Sequence, residues 1–195
     1  MIGIYGGAFD PFHFGHLGAI KNALKQRAFT KIIIVPSYAH AYGKEMASID
    51  RRIKWIKGTI KDSRSGLSHT ERQMMEASNI EKKIHEMKNG GPVYTSDLII
   101  YFKKLFTNDL AFITGSDNDI SKYYRYDIIE SNCDIIEVPE ITGVLHSSDI
   151  KKLLNEKVDD DRKRKDITKK LFLNLSEANI PEIIKEYRKP LDYNS

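Results

Sequence analysis

Residues 6–16 carry the side chains best suited to chemistry on a phosphate group. The segment begins with Gly6-Gly7-Ala8, which is small enough to let a polyphosphate approach the backbone N–H groups. His13 and His16 follow, with Gly15 between them, and on a turn that enters a helix this spacing can direct both imidazoles at one phosphate. The segment therefore predicts a phosphate site. On these residues alone, the alternatives are a surface loop with incidental histidines or a metal-binding pair.

A second candidate for phosphate contact lies closer to the C-terminus. Ser147 and Ser148 supply hydroxyl groups at the expected start of a helix, and Lys151 supplies a cation nearby. Together these groups would form another phosphate clamp. Taken alone, the same residues also fit an ordinary helix cap on the surface.

Three further positions could bind other parts of a ligand. Asp117 follows a predicted strand, where a carboxylate suits ribose hydroxyls, although it could equally cap the next helix. The backbone N–H groups of Tyr94 and Thr95 could receive a carboxylate, or could belong to a turn and helix cap without a ligand. Lys44 lies in the loop after the second strand, where an exposed lysine is the ordinary state.

Strands that alternate with helices position these segments. Short apolar runs predict strands over residues 2–5, 31–35, 72–77, 110–114 and 134–138. Apolar residues at helical spacing predict helices over residues 17–24, 53–60, 98–106, 149–154 and 181–187. Thr95-Ser96-Asp97 and Ser147-Ser148 are expected to cap the third and fourth of these helices.

Strands that are apolar on both faces indicate an α/β fold with helices on both sides of the sheet. We expect a doubly wound, mostly parallel, Rossmann-like sheet in a single domain over residues 1–195. In such sheets ligands bind at the carboxyl ends of the strands, near the point where the strand order reverses. Residues 6–16, 115–117 and 146–151 all lie in that location.

Composition narrows the functional classes. No apolar run approaches the ~20 residues of a membrane-spanning helix, and the first residues do not resemble a secretory signal, so we expect a cytoplasmic protein without a membrane partner. Cys133 is the only cysteine, which excludes an intramolecular disulfide and argues against a cysteine-based zinc site. The net charge of +4 comes from residues 151–170, so no nucleic-acid partner is expected. Arg162 to Lys165 is expected to be a solvated helix face or loop.

The first phosphate segment resembles a known signature. Gly6-Gly7-Ala8-Phe9-Asp10-Pro11, followed by His13, Gly15 and His16, is similar to the GxFDPxHxGH motif of the HxGH nucleotidyltransferase superfamily. The resemblance implies that His13 and His16 act in catalysis. It also implies that ATP is bound by Gly6, Gly7, Ala8, Phe9 and His16.

Two other segments resemble motifs of the same superfamily. Residues 145–151 are similar to ISSTxIR, which implies that Ser148 and Lys151 hold the β- and γ-phosphates of ATP. The chain departs from that motif at His146, where a serine is usual, and at Lys151, where arginine is usual and offers a bidentate fork. Residues 112–117 resemble an IGAD motif, which implies ATP contacts for Gly115 and for Asp117, close to the ribose or a metal.

Residues 90–98 resemble the GPSYTxDT segment of nicotinate-mononucleotide adenylyltransferases. The loop Ala41-Tyr42-Gly43-Lys44 instead resembles an AYxK loop of enzymes that accept nicotinamide mononucleotide. Because selectivity depends on contacts where the two substrates differ, we give the first segment more weight and expect nicotinate to be preferred. The mononucleotide contacts implied by the resemblance are Phe9, Asp10, Lys44, Tyr94, Thr95 and Tyr123, with Tyr123 in place of a stacking tryptophan.

The resemblance implies adenylyl transfer from ATP to a pyridine mononucleotide, a step of NAD biosynthesis, with release of pyrophosphate. His13, His16, Lys44 and Lys151 would stabilise the transition state, and Mg²⁺ would accompany ATP without a dedicated set of protein ligands. The alternatives are a phosphopantetheine adenylyltransferase, another HxGH nucleotidyltransferase such as a cytidylyltransferase, or a nucleotide-sensing module without activity. The oligomeric state is left open.

Overall fold

A five-stranded parallel sheet, in the order β3-β2-β1-β4-β5, forms the centre of the structure. The computed structural model describes residues 1–39, 43, 45–158 and 160–189. The strands are β1 (Ile2–Gly7), β2 (Lys31–Pro36), β3 (Met75–Ala77), β4 (Leu110–Gly115) and β5 (Asp134–Val138). The chain moves from β1 outward to β3 and then returns across the sheet to β4, so the strand order reverses beside β1. This confirms the predicted doubly wound α/β fold.

The helices lie between and after the strands. They are α1 (Phe14–Gln26), α2 (Ile49–Lys61), α3 (His69–Met74), α4 (Ile80–Met87), α5 (Thr95–Leu105), α6 (Tyr126–Asn132), α7 (Ser147–Leu154), α8 (Asp161–Asn174) and α9 (Ile180–Tyr187). Among the described residues, no helix is both long and apolar enough to cross a membrane.

Both faces of the sheet are covered by apolar clusters, which explains the continuous apolar runs of its central strands. On β2, Ile32 and Ile34 pack into the cluster that contains side chains of α1 and α2. Ile33 and Val35 pack into the opposite cluster, with side chains of α4, α5 and α6. Residues that alternate along one strand therefore serve two separate layers of the core.

A third apolar cluster attaches the C-terminal helices to α2. Trp55 of α2 is fully buried there with Leu171 of α8 and Ile183 of α9. Asn179, just before α9, strengthens this junction because its Nδ2 donates to the backbone oxygen of Trp55 at 2.8 Å. The junction matters for function because α7 carries residues that line the candidate site and Tyr187 of α9 binds Asp10 beside it.

The predicted strand over residues 72–77 is wrong in its first half. Residues up to Met74 belong to α3, and β3 has only three residues. A capping box starts α3: the Ser68 hydroxyl accepts from the Glu71 N–H at 3.2 Å, and the Glu71 carboxylate accepts from the Ser68 N–H at 2.7 Å. This local S-x-x-E signal favours a helix where the strand propensity was weak.

Sequence patterns also miss α4, α6 and α8. The first two are short, with eight and seven residues, and α8 buries little beyond Leu171 and Asn174. The Arg162 to Lys165 run lies on α8 and is mostly exposed, as expected for a solvated helix face.

Gly58 in the middle of α2 provides a stability test of the C-terminal junction. Helix propensity alone predicts that Gly58→Ala stabilises the protein by ~1 kcal/mol. A Cβ at this position would instead clash with the buried amide of Asn179, so we expect a loss of about 1–3 kcal/mol in unfolding free energy. Urea unfolding, with the exposed neighbour Lys57→Ala as the control, measures the difference. A stabilised Gly58→Ala protein would contradict the packing at this junction.

Candidate functional site

A cavity of about 410 Å³ opens at the carboxyl ends of β1, β4 and β5. Its walls include Gly6, Gly7, Ala8, Phe9, Asp10, His13, Gly15 and His16 from the first segment, Gly115 and Asp117 from the second, and His146, Ser147 and Ser148 from the third. Tyr123, Glu140 and Val144 line the same cavity from outside these segments. The three segments predicted to lie at one edge of the sheet therefore line a single cavity beside the reversal of strand order.

His13 and His16 form a reciprocal cap at the start of α1. The Nδ1 atom of His13 accepts from the Gly15 N–H at 3.1 Å, and the Nδ1 atom of His16 accepts from the His13 N–H at 3.2 Å. Because both Nδ1 atoms are acceptors, each neutral ring must carry its proton on Nε2. The ring centroids are 3.8 Å apart. The capping geometry therefore fixes two adjacent Nε2–H donors in the cavity wall.

Both imidazoles are neutral in the free protein. Burial, followed by a charge on His146, lowers the pKa of His13 to about 3. Burial also holds the pKa of His16 well below its usual value, with contributions from His13 and then His146. An anionic phosphate beside the rings would act in the opposite direction and favour their protonated form.

Phe9 supports the histidine pair. Its ring packs edge to face against His16 at 5.1 Å, while Phe12 stacks on the same imidazole at 5.1 Å. Phe9 is buried, and its backbone adopts the left-handed region with φ 49°. A Cβ on Gly7 would approach the Phe9 ring to 2.9 Å, so this turn requires a glycine. Because the ring is packed in this way, the predicted contacts of Phe9 with ATP and mononucleotide would have to come from its backbone.

Asp10 has a fully buried side chain that joins three distant segments. Its carboxylate binds the ammonium of Lys151 and the hydroxyl of Tyr187, and it accepts the Ala47 N–H at 3.0 Å. Burial, followed by the contact with Asp10, raises the pKa of Tyr187. The Asp10 side chain therefore has a structural role, and its contact with the mononucleotide stays a prediction.

Arg52 is a site-supporting residue that sequence reasoning missed. Its guanidinium is buried and donates to the carbonyl oxygens of Ala8 at 2.7 Å, Ser37 at 2.6 Å and Ala47 at 2.8 Å. It therefore ties the phosphate segment to the loop after β2 and to the residues before α2. A buried arginine on an amphipathic helix has no distinctive sequence pattern, because its acceptors are backbone atoms.

The start of α7 differs from the predicted cap. The N-cap residue is His146, and both Ser147 and Ser148 lie within the helix. Ser147 donates from Oγ to the Pro11 carbonyl at 3.0 Å, which attaches α7 to the phosphate segment. Ser148 lines the cavity, and its contact with a phosphate stays a prediction.

Lys151 does not line the cavity in this structure. Its Nζ atom pairs with Asp10 and lies 4.4 Å from the centre of the Tyr187 ring. Contact with the phosphates of ATP stays a prediction, and it requires the ammonium to turn away from Asp10. Lys44, with the neighbouring Ala41 and Tyr42, lies outside the described residues.

Asp117 and Tyr123 lie on the wall formed after β4. Asp117 does not act as a helix cap, because Asp119 is the N-cap residue of the following 3₁₀ turn. The Oδ1 atom of Asp117 accepts a hydrogen bond from Asn118 Nδ2 at 3.0 Å. Tyr123 is half-buried against Phe112, with ring centroids 6.2 Å apart. Both residues line the cavity, and their contacts with a ligand stay predictions.

Tyr94 and Thr95 lie at the start of α5, beyond the cavity wall. The Tyr94 N–H donates to Asp97 Oδ2 at 3.0 Å, so its use for a ligand carboxylate stays a prediction that requires Asp97 to release this N–H. Thr95 and Ser96 form the first turn of α5, where backbone N–H groups have no acceptor within the helix. The ring of Tyr94 packs at a tilt of 36° against the exposed Tyr124, with centroids 4.4 Å apart, an aromatic pair that sequence reasoning passed over in favour of Tyr123.

Within the described ranges, no group of three or more His, Cys, Asp or Glu side chains is arranged to hold a metal ion. Asp10 is already paired with Lys151, and Glu140 with His146, which leaves Asp117 as the acidic residue placed to assist a metal carried by a ligand. These residues fit a divalent ion that arrives with a polyphosphate.

Comparison with known proteins identifies the family of this chain. The cytidylyltransferase-like family model matches residues 4–171. A probable nicotinate-nucleotide adenylyltransferase of Thermotoga maritima is 27% identical over 157 residues, which cover 80% of this chain and 70% of that protein. A protein of the same name from Campylobacter fetus is 25% identical over 200 residues and covers 96% of this chain and 97% of its own.

A solved structure shows the same fold. The nicotinic acid mononucleotide adenylyltransferase of Plasmodium falciparum, complexed with NaAD, superposes with a TM-score of 0.68. The two are 20% identical, and the match covers 95% of each chain.

The low pKa of His13 predicts a loss of stability in acid. Because the unfolded chain binds a proton near pH 6.5 and the folded chain only near pH 3, this histidine stabilises the fold above pH 6.5 and less as the pH falls. His13→Asn keeps a capping acceptor for the Gly15 N–H but does not titrate. Between pH 7.5 and 5, wild type should lose about 2 kcal/mol more unfolding free energy than His13→Asn. Equal losses in urea unfolding would show that His13 titrates normally.

Proposed function

The chain belongs to the cytidylyltransferase-like family of nucleotidyltransferases, and from this premise we propose that it transfers the AMP moiety of ATP to nicotinate mononucleotide. The observation that carries the proposal is the pair of neutral imidazoles whose Nε2–H donors lie in the cavity wall beside Gly6-Gly7-Ala8. The names of the relatives from Thermotoga maritima and Campylobacter fetus support this choice of substrate. The reaction is a step of NAD biosynthesis.

The reaction needs no covalent intermediate with the protein. A phosphate oxygen of the mononucleotide attacks the α-phosphorus of ATP in line, and the bond from that phosphorus to the bridging oxygen of the β-phosphate breaks. Pyrophosphate leaves with the electron pair of that bond. Catalysis of this kind depends on positioning and on stabilisation of charge, which together can supply several kcal/mol of the barrier.

His13 and His16 supply donors for the charge that develops during transfer. Since both rings are desolvated and neutral, they bind phosphate by hydrogen bonds first and gain protonated character as negative charge grows. The N-terminus of α1 adds its partial positive charge at the same point. The capping geometry means that neither ring needs to reorient when the substrates arrive.

The remaining predicted residues would bind ATP around this pair. Gly115 and Asp117, which line the cavity, would contact the ribose, and Ser148 would contact a phosphate at the start of α7. Lys151 would reach the β- or γ-phosphate after leaving Asp10, whose carboxylate would keep Tyr187 and the Ala47 N–H as partners. The chain lacks a resident set of metal ligands in its described part, so Mg²⁺ would enter with ATP, where it neutralises the triphosphate.

The mononucleotide would lie between Tyr123 and the start of α5. Lys44 would contact its phosphate, and an aromatic ring from Tyr123, or from the Tyr94–Tyr124 pair, would stack on the pyridine. The first-turn N–H groups of Thr95 and Ser96 would receive the pyridine carboxylate. A carboxamide presents an NH₂ donor to such groups, so nicotinate fits them better.

A pyrophosphate-release assay with ATP tests the proposal directly. Nicotinate mononucleotide, nicotinamide mononucleotide and phosphopantetheine are offered as acceptors. We expect kcat/KM to favour nicotinate over nicotinamide by roughly ten- to two-hundredfold, and no turnover of phosphopantetheine. Turnover of phosphopantetheine alone would assign the chain to another branch of the superfamily, and ATP binding without any turnover would favour a sensor.

The His13→Asn protein separates the catalytic role of His13 from its capping role. Asparagine can accept the Gly15 N–H but removes the Nε2–H donor, so kcat should fall about 10²-fold. His16→Ala should lower kcat by roughly 10²–10³, as expected for loss of a transition-state donor. Unfolding free energy measured in parallel controls for stability. A His13→Asn protein with wild-type kcat would mean that His13 caps α1 and has no part in catalysis.

A further inference from the structure

We propose that His146 is a third imidazole of the site, which binds the β- and γ-phosphates of ATP and the pyrophosphate that leaves, in competition with Glu140. The inference rests on the proposed function, because it concerns the leaving group of that reaction. The residue stands where the ISSTxIR motif has a serine, so this contact would distinguish the chain from proteins that carry that motif.

The first observation is that His146 occupies a capping position without capping. It is the N-cap residue of α7, with φ −71° and ψ 160°, and its carbonyl accepts the Asp149 and Ile150 N–H groups at 3.0 Å each. Its side chain makes no hydrogen bond to the helix. Serine, threonine, asparagine and aspartate stabilise an N-cap by about 1 kcal/mol over residues that cannot cap. Here the side chain is instead part of the cavity wall.

The second observation is its position relative to the other two histidines. His13, His16 and His146 all line the same cavity. Burial is the main cause that lowers the pKa of His13 and His16, and a charge on His146 acts on both, which places it within electrostatic reach of the pair. Unlike them, His146 is more than half exposed, with 58% of its side chain accessible at the rim. It can therefore rotate toward a ligand without disturbing the core.

The third observation is the partner that holds the ring in the free protein. His146 Nε2 lies 3.0 Å from Oε1 of Glu140, which follows β5 and is also 58% exposed. A carboxylate in the wall of a phosphate site repels the ligand unless it is neutralised. His146 both masks this charge and offers a donor that a polyphosphate, with more charge than one carboxylate, can take over.

A metal site does not explain the three histidines. In the part of the chain that the structure describes, no cluster of metal-ligating side chains is present, and Nδ1 of both His13 and His16 is occupied by backbone N–H groups. A surface ion pair alone would place no constraint on ligand binding, so ligand affinity separates the two explanations.

Calorimetric titration of the full chain with three probes tests the contact. MgATP and magnesium pyrophosphate carry the phosphates in question, whereas AMP lacks them. His146→Ser restores a side chain able to cap α7, so loss of stability is not expected. We expect it to raise the Kd of MgATP and pyrophosphate about five- to tenfold and to leave the Kd of AMP within about twofold. Unchanged Kd values for MgATP and pyrophosphate, or an equal loss for AMP, would overturn the proposal.

Glu140→Gln separates a direct contact from simple masking of charge. The double variant His146→Ser/Glu140→Gln is compared with Glu140→Gln alone, so that no carboxylate is exposed in either protein. If the imidazole touches the phosphates, the double variant still binds pyrophosphate about fivefold more weakly. Equal affinities would mean that His146 only neutralises Glu140, which also overturns the proposal.

These titrations need no mononucleotide and no turnover. If the wild-type chain binds MgATP but transfers AMP to none of the offered acceptors, the proposed function is wrong. The titrations would still test the contact of His146 with the phosphates. If the wild-type chain turns over nicotinate mononucleotide and His146→Ser binds MgATP as tightly as wild type, the proposed function holds and the contact of His146 is wrong.

Discussion

The buried carboxylate of Asp10 is the constraint on which the arrangement of the site depends. An ionised group without solvent contact must be paired, and removal of one partner of a buried pair typically costs about 3–5 kcal/mol. The partners come from residues far apart in the sequence: Lys151 of α7, Tyr187 of α9 and the Ala47 N–H before α2. Satisfying Asp10 therefore holds the C-terminal helices against the phosphate segment and brings the start of α7 to the cavity.

Because of this pairing, Lys151 would have two partners that compete for its ammonium group. In the free protein it compensates Asp10, and during catalysis it would bind phosphate at a distance from that carboxylate. Replacement of Lys151 by alanine would remove both contacts, so a change in ATP affinity would be mixed with a loss of stability. His13 would also serve two purposes, since its imidazole caps α1 through Nδ1 and keeps the Nε2–H for a ligand.

Local patterns predicted the central fold and most of the cavity wall. The apolar runs of β1, β2 and β4 are buried on both faces, and such runs indicate a parallel sheet with the motifs at its carboxyl ends. Contacts between distant residues were not predictable from those patterns. Arg52 donates to carbonyl oxygens, which leave no pattern in the sequence. The partners of Asp10 lie up to 177 residues away from it. In the sequence His146 is only a departure from a motif, whereas in the structure it lines the cavity.

The central claim is that neutral imidazoles of fixed tautomer present Nε2–H donors to the phosphates of ATP. Nitrogen-15 NMR of histidine-labelled protein observes both nitrogens of each ring directly. At pH 6, His13 and His16 should show protonated Nε2 and unprotonated Nδ1 atoms, and a non-hydrolysable ATP analogue should shift the Nε2 resonances most. Rings that are cationic at pH 6 in the free protein, carry the proton on Nδ1, or do not respond to the analogue would contradict the account.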